Sequence, residues 1–261
     1  MSIKTKLWLI IATTLVLIGC IIFGGVMSML NWDFTKLSTN KFESNTYEIT
    51  DDFSNISIIS DTADIVFEVS DNKTCSVVCY EKENEKHSVF VQDDTLFVKI
   101  NPETEWYKYI GINFDSPKIT IFLPKSEYNS LFVKESTGDI NIQNISADTL
   151  SFYLSTGDVC LKNIKCENLT SKADTGEIYL ENILASEKIC IERSTGDVEF
   201  KGCDANEIFV KTDTGDVEGS LLTNKIFVVE TSTGDIEVPK SSNGGKCEIK
   251  TSTGDVEIRI D

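Results

Sequence analysis

Ser136-Thr137-Gly138-Asp139 is the stretch that decides the fold, because close copies of it recur to the end of the chain. The later copies are Ser155-Thr156-Gly157-Asp158, Asp174-Thr175-Gly176-Glu177, Ser194-Thr195-Gly196-Asp197, Asp213-Thr214-Gly215-Asp216, Ser232-Thr233-Gly234-Asp235 and Ser252-Thr253-Gly254-Asp255. Successive glycines are 19, 19, 20, 19, 19 and 20 residues apart. A fixed period in this range is typical of stacked supersecondary units. The sequence therefore predicts a repeat architecture.

Apolar residues alternate with polar ones on both sides of each glycine. Five residues before it stand Val133, Phe152, Ser171, Ile191, Val210, Val229 and Ile249. Two residues after it stand Ile140, Val159, Ile178, Val198, Val217, Ile236 and Val256. Period-two alternation is typical of a half-buried strand, and glycine supplies the positive φ that a tight turn requires. Each repeat is therefore predicted to be strand, turn and strand, with its apolar columns facing inward.

Two all-β architectures satisfy this pattern. In a parallel β-solenoid with 19–20-residue coils, each strand pairs with the equivalent strand of the next coil, about 4.8 Å away. In a meander of hairpins or a sandwich, the two strands of one repeat pair with each other. Because the same columns persist through seven copies, the sequence favours the solenoid.

A degenerate form of the repeat precedes the regular repeats. Asp61-Thr62-Ala63-Asp64 places alanine where glycine is expected, and Val89 to Val98 resembles a further strand–turn–strand unit. Residues 42–261 are therefore predicted to be one domain, with degenerate coils over 42–130 and regular coils over 131–261. The segment Pro102–Pro117 interrupts the pattern and is interpreted as a capping loop or an aromatic binding surface.

The N-terminal segment is apolar and uncharged from Leu7 to Leu30. Twenty-four helical residues span about 36 Å, enough to cross a bilayer core of about 30 Å. Lys4 and Lys6 predict a cytoplasmic N-terminus. The predicted segments are a cytoplasmic tail (1–6), a transmembrane anchor (7–30) and a tether (31–41), which places the β domain outside the cytoplasm. A lipoprotein signal ending at Cys20 and a cleaved signal peptide are the alternatives.

Charge restricts the possible partners. The chain carries 42 acidic and 24 basic residues, for a net charge of −18. Such a surface repels nucleic acid, and the arginines are limited to Arg193 and Arg259. Nucleic acid is therefore excluded as a partner.

The repeated acid that follows each glycine would form a ladder of like charges. Calcium bridging between turns is one interpretation, with Asp139, Asp158, Asp197, Asp216, Asp235 and Asp255 as the candidate metal ligands. Glu177 interrupts this set, and capping of the turns by side-chain hydrogen bonds is the competing interpretation. No other cofactor is expected.

Catalytic chemistry has little support in the sequence. His87 is the single histidine and lies near a charged run that is interpreted as a solvated loop. Zinc is judged improbable because no ligand spacing fits, and seven cysteines outside the anchor do not make a complete disulfide framework. Arg193 near Asp174 and Asp197 is the one candidate for a polysaccharide lyase or hydrolase. The leading expectation is a protein that is not an enzyme.

The C-terminal coil is predicted to be an open edge of the stack. Glu257, Arg259 and Asp261 carry the charges that would protect this edge from self-association.

The repeat period, the strand exit Leu123-Pro124-Lys125 and the apolar N-terminus together resemble a bacterial family, the putative-adhesin β-strand-repeat domain of Gram-positive envelope proteins. The resemblance covers nearly the whole chain. It implies a membrane-anchored, β-helix-like surface module that binds or senses, with an envelope protein or a cell-wall or surface polysaccharide as its partner. A polysaccharide lyase or hydrolase and a calcium-dependent carbohydrate-binding protein are the alternatives.

Overall fold

The computed structural model describes residues 2–37, 41–70, 74–100, 115–124 and 127–261. These belong to two compact units. The first comprises Met1–Lys41 with Thr104–Asp115, and the second comprises Phe42–Glu103 with Ser116–Asp261. Most of the segment Pro102–Pro117, for which a cap or a binding surface is predicted, lies outside the described residues.

The first unit contains one long apolar helix, α1 (Ile3–Met29), followed by a 3-10 turn at Phe34–Leu37. Ser2 caps the helix by accepting a hydrogen bond from the Thr5 amide at 3.3 Å. The most apolar stretch of α1 has a mean hydropathy of 2.6, and none of it is buried within the protein. A helix of 27 residues is about 40 Å long, so α1 is long and apolar enough to span a bilayer.

The second unit is all-β, as predicted. Its strands are β1 (Phe42–Ile49), β2 (Asn55–Ile59), β3 (Asp64–Val69), β4 (Cys75–Lys82), β5 (His87–Gln92), β6 (Thr95–Ile100), β7 (Lys118–Leu123), β8 (Glu127–Thr137), β9 (Ile140–Gln143), β10 (Ser146–Thr156), β11 (Val159–Thr175), β12 (Ile178–Thr195), β13 (Val198–Thr214), β14 (Val217–Leu221), β15 (Lys225–Thr233), β16 (Ile236–Glu237), β17 (Gly245–Thr253) and β18 (Val256–Ile260). They form a single sheet that is nearly closed and barrel-like around one apolar core.

Strands of the regular repeats pair in parallel with their equivalents, not with each other across the turn. Leu150 of β10 pairs with Leu131 on one side and with Leu169 on the other, and Ile189 pairs with Ile208. The meander is therefore wrong for this region. The predicted apolar columns point inward: the residues two places after glycine are buried in six of the seven repeats.

Stacking order departs from sequence order at the C-terminal end. Cys247 of the seventh repeat pairs with Ile208 of the fifth and with Phe227 of the sixth, so the last repeat is inserted between the two. The prediction that the C-terminal coil forms the open edge is therefore wrong. The outermost turn is instead β15–β16, where Ile226 and Ile236 are largely exposed. Equivalent columns fit equally well in either order, so the repeat pattern does not specify which repeat lies outside.

The degenerate N-terminal segment follows the pattern only in part. Ala63 does take the glycine place, since β2 and β3 pair in parallel with β8 and β9. Ile56, however, pairs with Leu131, 75 residues away, so one coil length does not hold throughout the domain. Strands β5 and β6 form an antiparallel hairpin, and β4 pairs antiparallel with β1 and β7. The unit read over Val89 to Val98 is thus a hairpin and not a coil.

A second regular corner lies six residues after the glycine. Asn144, Asn163 and Asn182 adopt φ between 54° and 59°, and Gly202 takes the same place in the next turn at 61°. The Asn163 amide donates to Asn144 Oδ1 and the Asn182 amide donates to Asn163 Oδ1, both at 2.9 Å. Asparagine tolerates the left-handed conformation better than most residues, so this column sets the corner.

Candidate functional site

An exposed aromatic surface lies on the outer side of β5, β6, β2, β8 and β10. We call it the aromatic face; its members are Ile59, Phe90, Phe97, Lys99, Phe132, Lys134 and Tyr153. The rings form two pairs, with centroids 5.4 Å apart for Phe90–Phe97 and 5.8 Å apart for Phe132–Tyr153. Since the alternate residues of these strands fill the core, the rings have no place inside and remain at the surface.

Strand register arranges this face in two rows. Ile59 is paired with Lys99 on one side and with Lys134 on the other, and Lys134 is in turn paired with Tyr153. One row therefore alternates cations with apolar groups across four neighbouring strands. In the second row, Ser57 separates Phe97 from Phe132.

The aromatic face is locally basic on an acidic protein. It contains no carboxylate, and the Lys99 ammonium lies 3.9 Å from the Phe97 ring centroid. Lys134 is exposed and makes no ion pair within the described ranges. Beyond Tyr153 the lysines of this row are ion-paired: Lys172 Nζ lies 2.7 Å from Glu192 Oε1. The face is thus distinct from the ion-paired surface that continues the same rows.

The sequence indicated only part of this face. Phe132 and Tyr153 stand at outward positions of the first two regular repeats, where the alternation predicts polar residues. Phe90 and Phe97 reach the same face because the β5–β6 hairpin lies beside β2, which nothing in the repeat period indicates.

The acidic ladder lies at the turns, and its carboxylates bind main-chain amides. Asp139 Oδ1 accepts from the Asp158 amide at 2.9 Å, and Asp158 Oδ1 accepts from the Glu177 amide at 2.8 Å. The series resumes at Asp197, which accepts from Asp216 at 2.8 Å. The same type of hydrogen bond joins three further pairs. Asp64 Oδ1 accepts from the Asp139 amide, Asp216 Oδ1 from the Asp255 amide and Asp255 Oδ1 from the Asp235 amide. These contacts support turn capping as the role of the repeated acid.

Calcium binding by the ladder stays a prediction. The six candidate ligands are all exposed, and each lies in the turn of a different repeat: Asp139, Asp158, Asp197, Asp216, Asp235 and Asp255. Among the described residues, a group of three ligand types within 4.8 Å of one another occurs elsewhere, at Cys79, Glu81 and His87.

His87 is buried, so its interpretation as part of a solvated loop was wrong. It begins β5 with 4% of its surface exposed, and its Nδ1 lies 2.7 Å from Glu81 Oε2. Its Nε2 lies 3.0 Å from Ser60 Oγ. Burial alone would raise the pKa of Glu81, but hydrogen bonds from His87 and Asn45 outweigh it and lower that pKa.

The Ser60–His87–Glu81 sequence of contacts matches the order of nucleophile, base and acid in hydrolases. Ser60 is 94% buried, in the interior of the sheet. A hydrolase nucleophile must reach a substrate carbonyl, and this hydroxyl faces the protein interior. The arrangement therefore organises the core and presents no open active site.

Arg193 does not form the clustered acid–base site that a lyase would need. Its guanidinium is buried, donating to Ser171 Oγ at 2.9 Å and to the Glu192 carbonyl oxygen at 3.2 Å. Burial lowers its pKa to about 10, although Asp158 partly opposes the shift. It forms no ion pair with Asp174 or Asp197 in the described chain.

A second buried acid lies near the histidine. Glu135 Oε1 accepts from the Ala63 amide at 3.1 Å, while Oε2 has no hydrogen-bond partner in the described structure. Burial raises the pKa of Glu135 to about 8. This carboxyl is therefore largely protonated at neutral pH.

All eight cysteines are described and are free thiols. Cys203 and Cys247 face the core, as predicted. Burial raises the pKa of Cys75, Cys79 and Cys247 to about 12, so these thiols are protonated at neutral pH.

Comparison with known proteins identifies related folds. The Toastrack DUF4097 family model matches residues 53–261. A putative adhesin from Bacteroides fragilis superposes with a TM-score of 0.50 at 18% identity, covering 84% of this chain and 97% of its own. A putative adhesin from Parabacteroides distasonis gives a TM-score of 0.45 at 15% identity, covering 85% and 98%. A search of curated protein sequences returned no significant match.

Proposed function

Because the chain belongs to the Toastrack DUF4097 family, we propose that it is a membrane-anchored, non-enzymatic binding module whose aromatic face holds an acidic surface polysaccharide. The observation that carries the proposal is the combination of two ring pairs at the surface with two lysines that form no ion pair with a carboxylate of the described residues. The name of the Bacteroides fragilis structure, a putative adhesin, agrees with a surface role.

Sugar recognition fits the chemistry of this face. Exposed aromatic rings offer large apolar area at low conformational cost, and sugars present apolar C–H faces that stack on such rings. Lys99 and Lys134 flank Ile59 in register, on the strands that carry Phe97 and Phe132, where they complement carboxylate or phosphate groups along a polymer. The ladder acids lie at the turns, and screening over about 8 Å limits their repulsion of an anionic ligand at physiological salt.

Anchoring by α1 is the second part of the proposal. The helix exposes apolar side chains along most of its length, although Met27 near its end is buried, and Lys4 and Lys6 precede its most apolar stretch. An uncleaved helix would hold the β domain on the extracytoplasmic side. Protease protection of an epitope at each end of the chain, in intact cells, tests this orientation: the N-terminal epitope should be protected and the C-terminal one digested.

Binding is tested with the full chain in detergent micelles, titrated with acidic and neutral cell-wall polysaccharides. Phe132→Ala with Tyr153→Ala should weaken binding at least tenfold, and Lys134→Gln should reduce its salt dependence. Phe209→Ala and Lys211→Gln are matched controls, because both residues point outward in the same two rows beyond the aromatic face. Equal losses in the controls would reject the aromatic face as the site. Release of new reducing ends would instead indicate a lyase or hydrolase.

A further inference from the structure

The interior of the sheet contains one place where sulfur, nitrogen and oxygen ligands meet. Residues Cys75, Val77, Cys79 and Glu81 of β4 all point inward and are at most 2% exposed. His87 enters the same space from β5. Cys79 Sγ, a Glu81 carboxylate oxygen and a His87 ring nitrogen lie within 4.8 Å of one another.

Neighbouring groups fix the side chains of this cluster, and the His87 amide itself donates to Glu81 Oε2 at 2.7 Å. Ser60 Oγ lies 3.0 Å from His87 Nε2, and the Asn45 amide donates to Glu81 Oε1 at 2.8 Å. The Tyr47 hydroxyl donates to the His87 carbonyl oxygen at 3.1 Å. His87 Nδ1 and Glu81 Oε2 are left facing each other, 2.7 Å apart. Metal-ligating histidines characteristically bind such a second partner through the other ring nitrogen.

We propose that Cys79, Glu81 and His87 bind one zinc-class divalent cation inside the sheet. Thiolate, imidazole and carboxylate are the ligands that Zn²⁺ takes at about 2.0–2.3 Å, and a water molecule would complete the tetrahedron. The ion takes the place of the proton between Nδ1 and Oε2, which move apart from 2.7 Å to admit it, while Nε2–H donates to Ser60. The expectation against zinc rests on ligand spacing along the sequence, whereas the fold brings Cys79 and His87 together in space.

Loading of this site must release protons. Zn²⁺ binds the Cys79 sulfur as a thiolate, so the ion displaces the thiol proton when it binds. Affinity should therefore fall as the pH is lowered. Without metal, His87 Nδ1 and Glu81 Oε2 would stay hydrogen-bonded to each other, and this is the alternative that the experiment must distinguish.

The test measures bound metal in the full chain, purified in detergent without chelator. One zinc per chain is expected, and replacement with Co²⁺ should give the charge-transfer absorption of a thiolate–cobalt bond. Cys79→Ser should abolish that absorption, and Ser60→Ala should weaken Zn²⁺ binding by about 10- to 100-fold. Cys75→Ser is the matched control, because Cys75 is a buried thiol on the same face of β4 and should leave the absorption unchanged.

Folding of each variant is checked by circular dichroism, with His87→Gln as a second ligand variant if Cys79→Ser does not fold. Zinc removal should lower the melting temperature of the wild-type chain and of Cys75→Ser, but not that of a folded ligand variant. A folded wild-type chain that neither retains zinc nor gives the cobalt–thiolate absorption would overturn the proposal. So would equal loss of absorption in Cys75→Ser.

Discussion

Gly157 lies directly against Gly138 of the neighbouring turn: a Cβ atom on Gly157 would lie 2.0 Å from the Gly138 carbonyl oxygen. The same close approach recurs at the other repeat glycines, whose φ values lie between 134° and 152°. Two separate constraints, backbone conformation and contact between turns, therefore require glycine at this position.

Gly176→Ala should be strongly destabilising. The new Cβ would lie 2.0 Å from the Gly157 carbonyl oxygen at a φ of 134°, so the free energy of unfolding should fall by roughly 3 kcal/mol or more. Ser194→Ala, an exposed change in the next turn, should stay within about 0.5 kcal/mol of wild type. Urea unfolding of the full chain in detergent measures both. Similar losses in the two variants would contradict the stacking constraint.

The asparagine corner gives a paired test. Asn163→Ala removes hydrogen bonds to both neighbouring turns and places alanine at a φ of 54°, so it should cost about 2 kcal/mol. Asn163→Gly loses the same hydrogen bonds but relieves the backbone, as Gly202 does naturally, and should cost less. Thermal unfolding ranks the two variants, and the reverse order would show that conformation at this corner does not limit stability.

Asp158 should act through its acceptor oxygen and not through its charge. Asp158→Ala removes the acceptor for the Glu177 amide and should cost about 1 kcal/mol, whereas Asp158→Asn retains an acceptor and should be nearly neutral. Melting temperatures of both variants, with calcium or with EGTA, provide the measurement. A calcium-dependent rise in wild type that both variants lose would favour the cation-binding interpretation.

Glu135 should make stability fall as pH rises. Its pKa in the folded protein is about 8, above the ordinary value of 4.5, so the folded state keeps a proton that the unfolded chain releases. The contribution is fully present below about pH 4.5 and is lost as pH rises through 8. Glu135→Gln should flatten this decline and stabilise the protein at pH 8 by about 1–3 kcal/mol. Denaturant unfolding at pH 6 and pH 8 checks it, with exposed Glu199→Gln as the control expected to decline as wild type does.

The repeat could be predicted from the sequence, because the alternating apolar residues indicate which side of each strand is buried and the glycine indicates the turn. Positive φ at Gly157 and inward packing at Val159 follow from local chemistry that nearly every copy repeats. The apolar helix near the N-terminus was equally apparent, since length and hydropathy define it without reference to any partner.

Stacking order and the interior polar groups were decided only by tertiary structure. Ile208 can accept Cys247 or Phe227 as its neighbour because both offer an apolar side chain at the same column, so order depends on how the connecting segments return. Cys79 and His87 meet inside the sheet because β4 and β5 enter one core from different directions, a contact that no period in the sequence encodes. Local pattern fixes which side of a strand is buried, whereas long-range pairing fixes what each buried side chain meets.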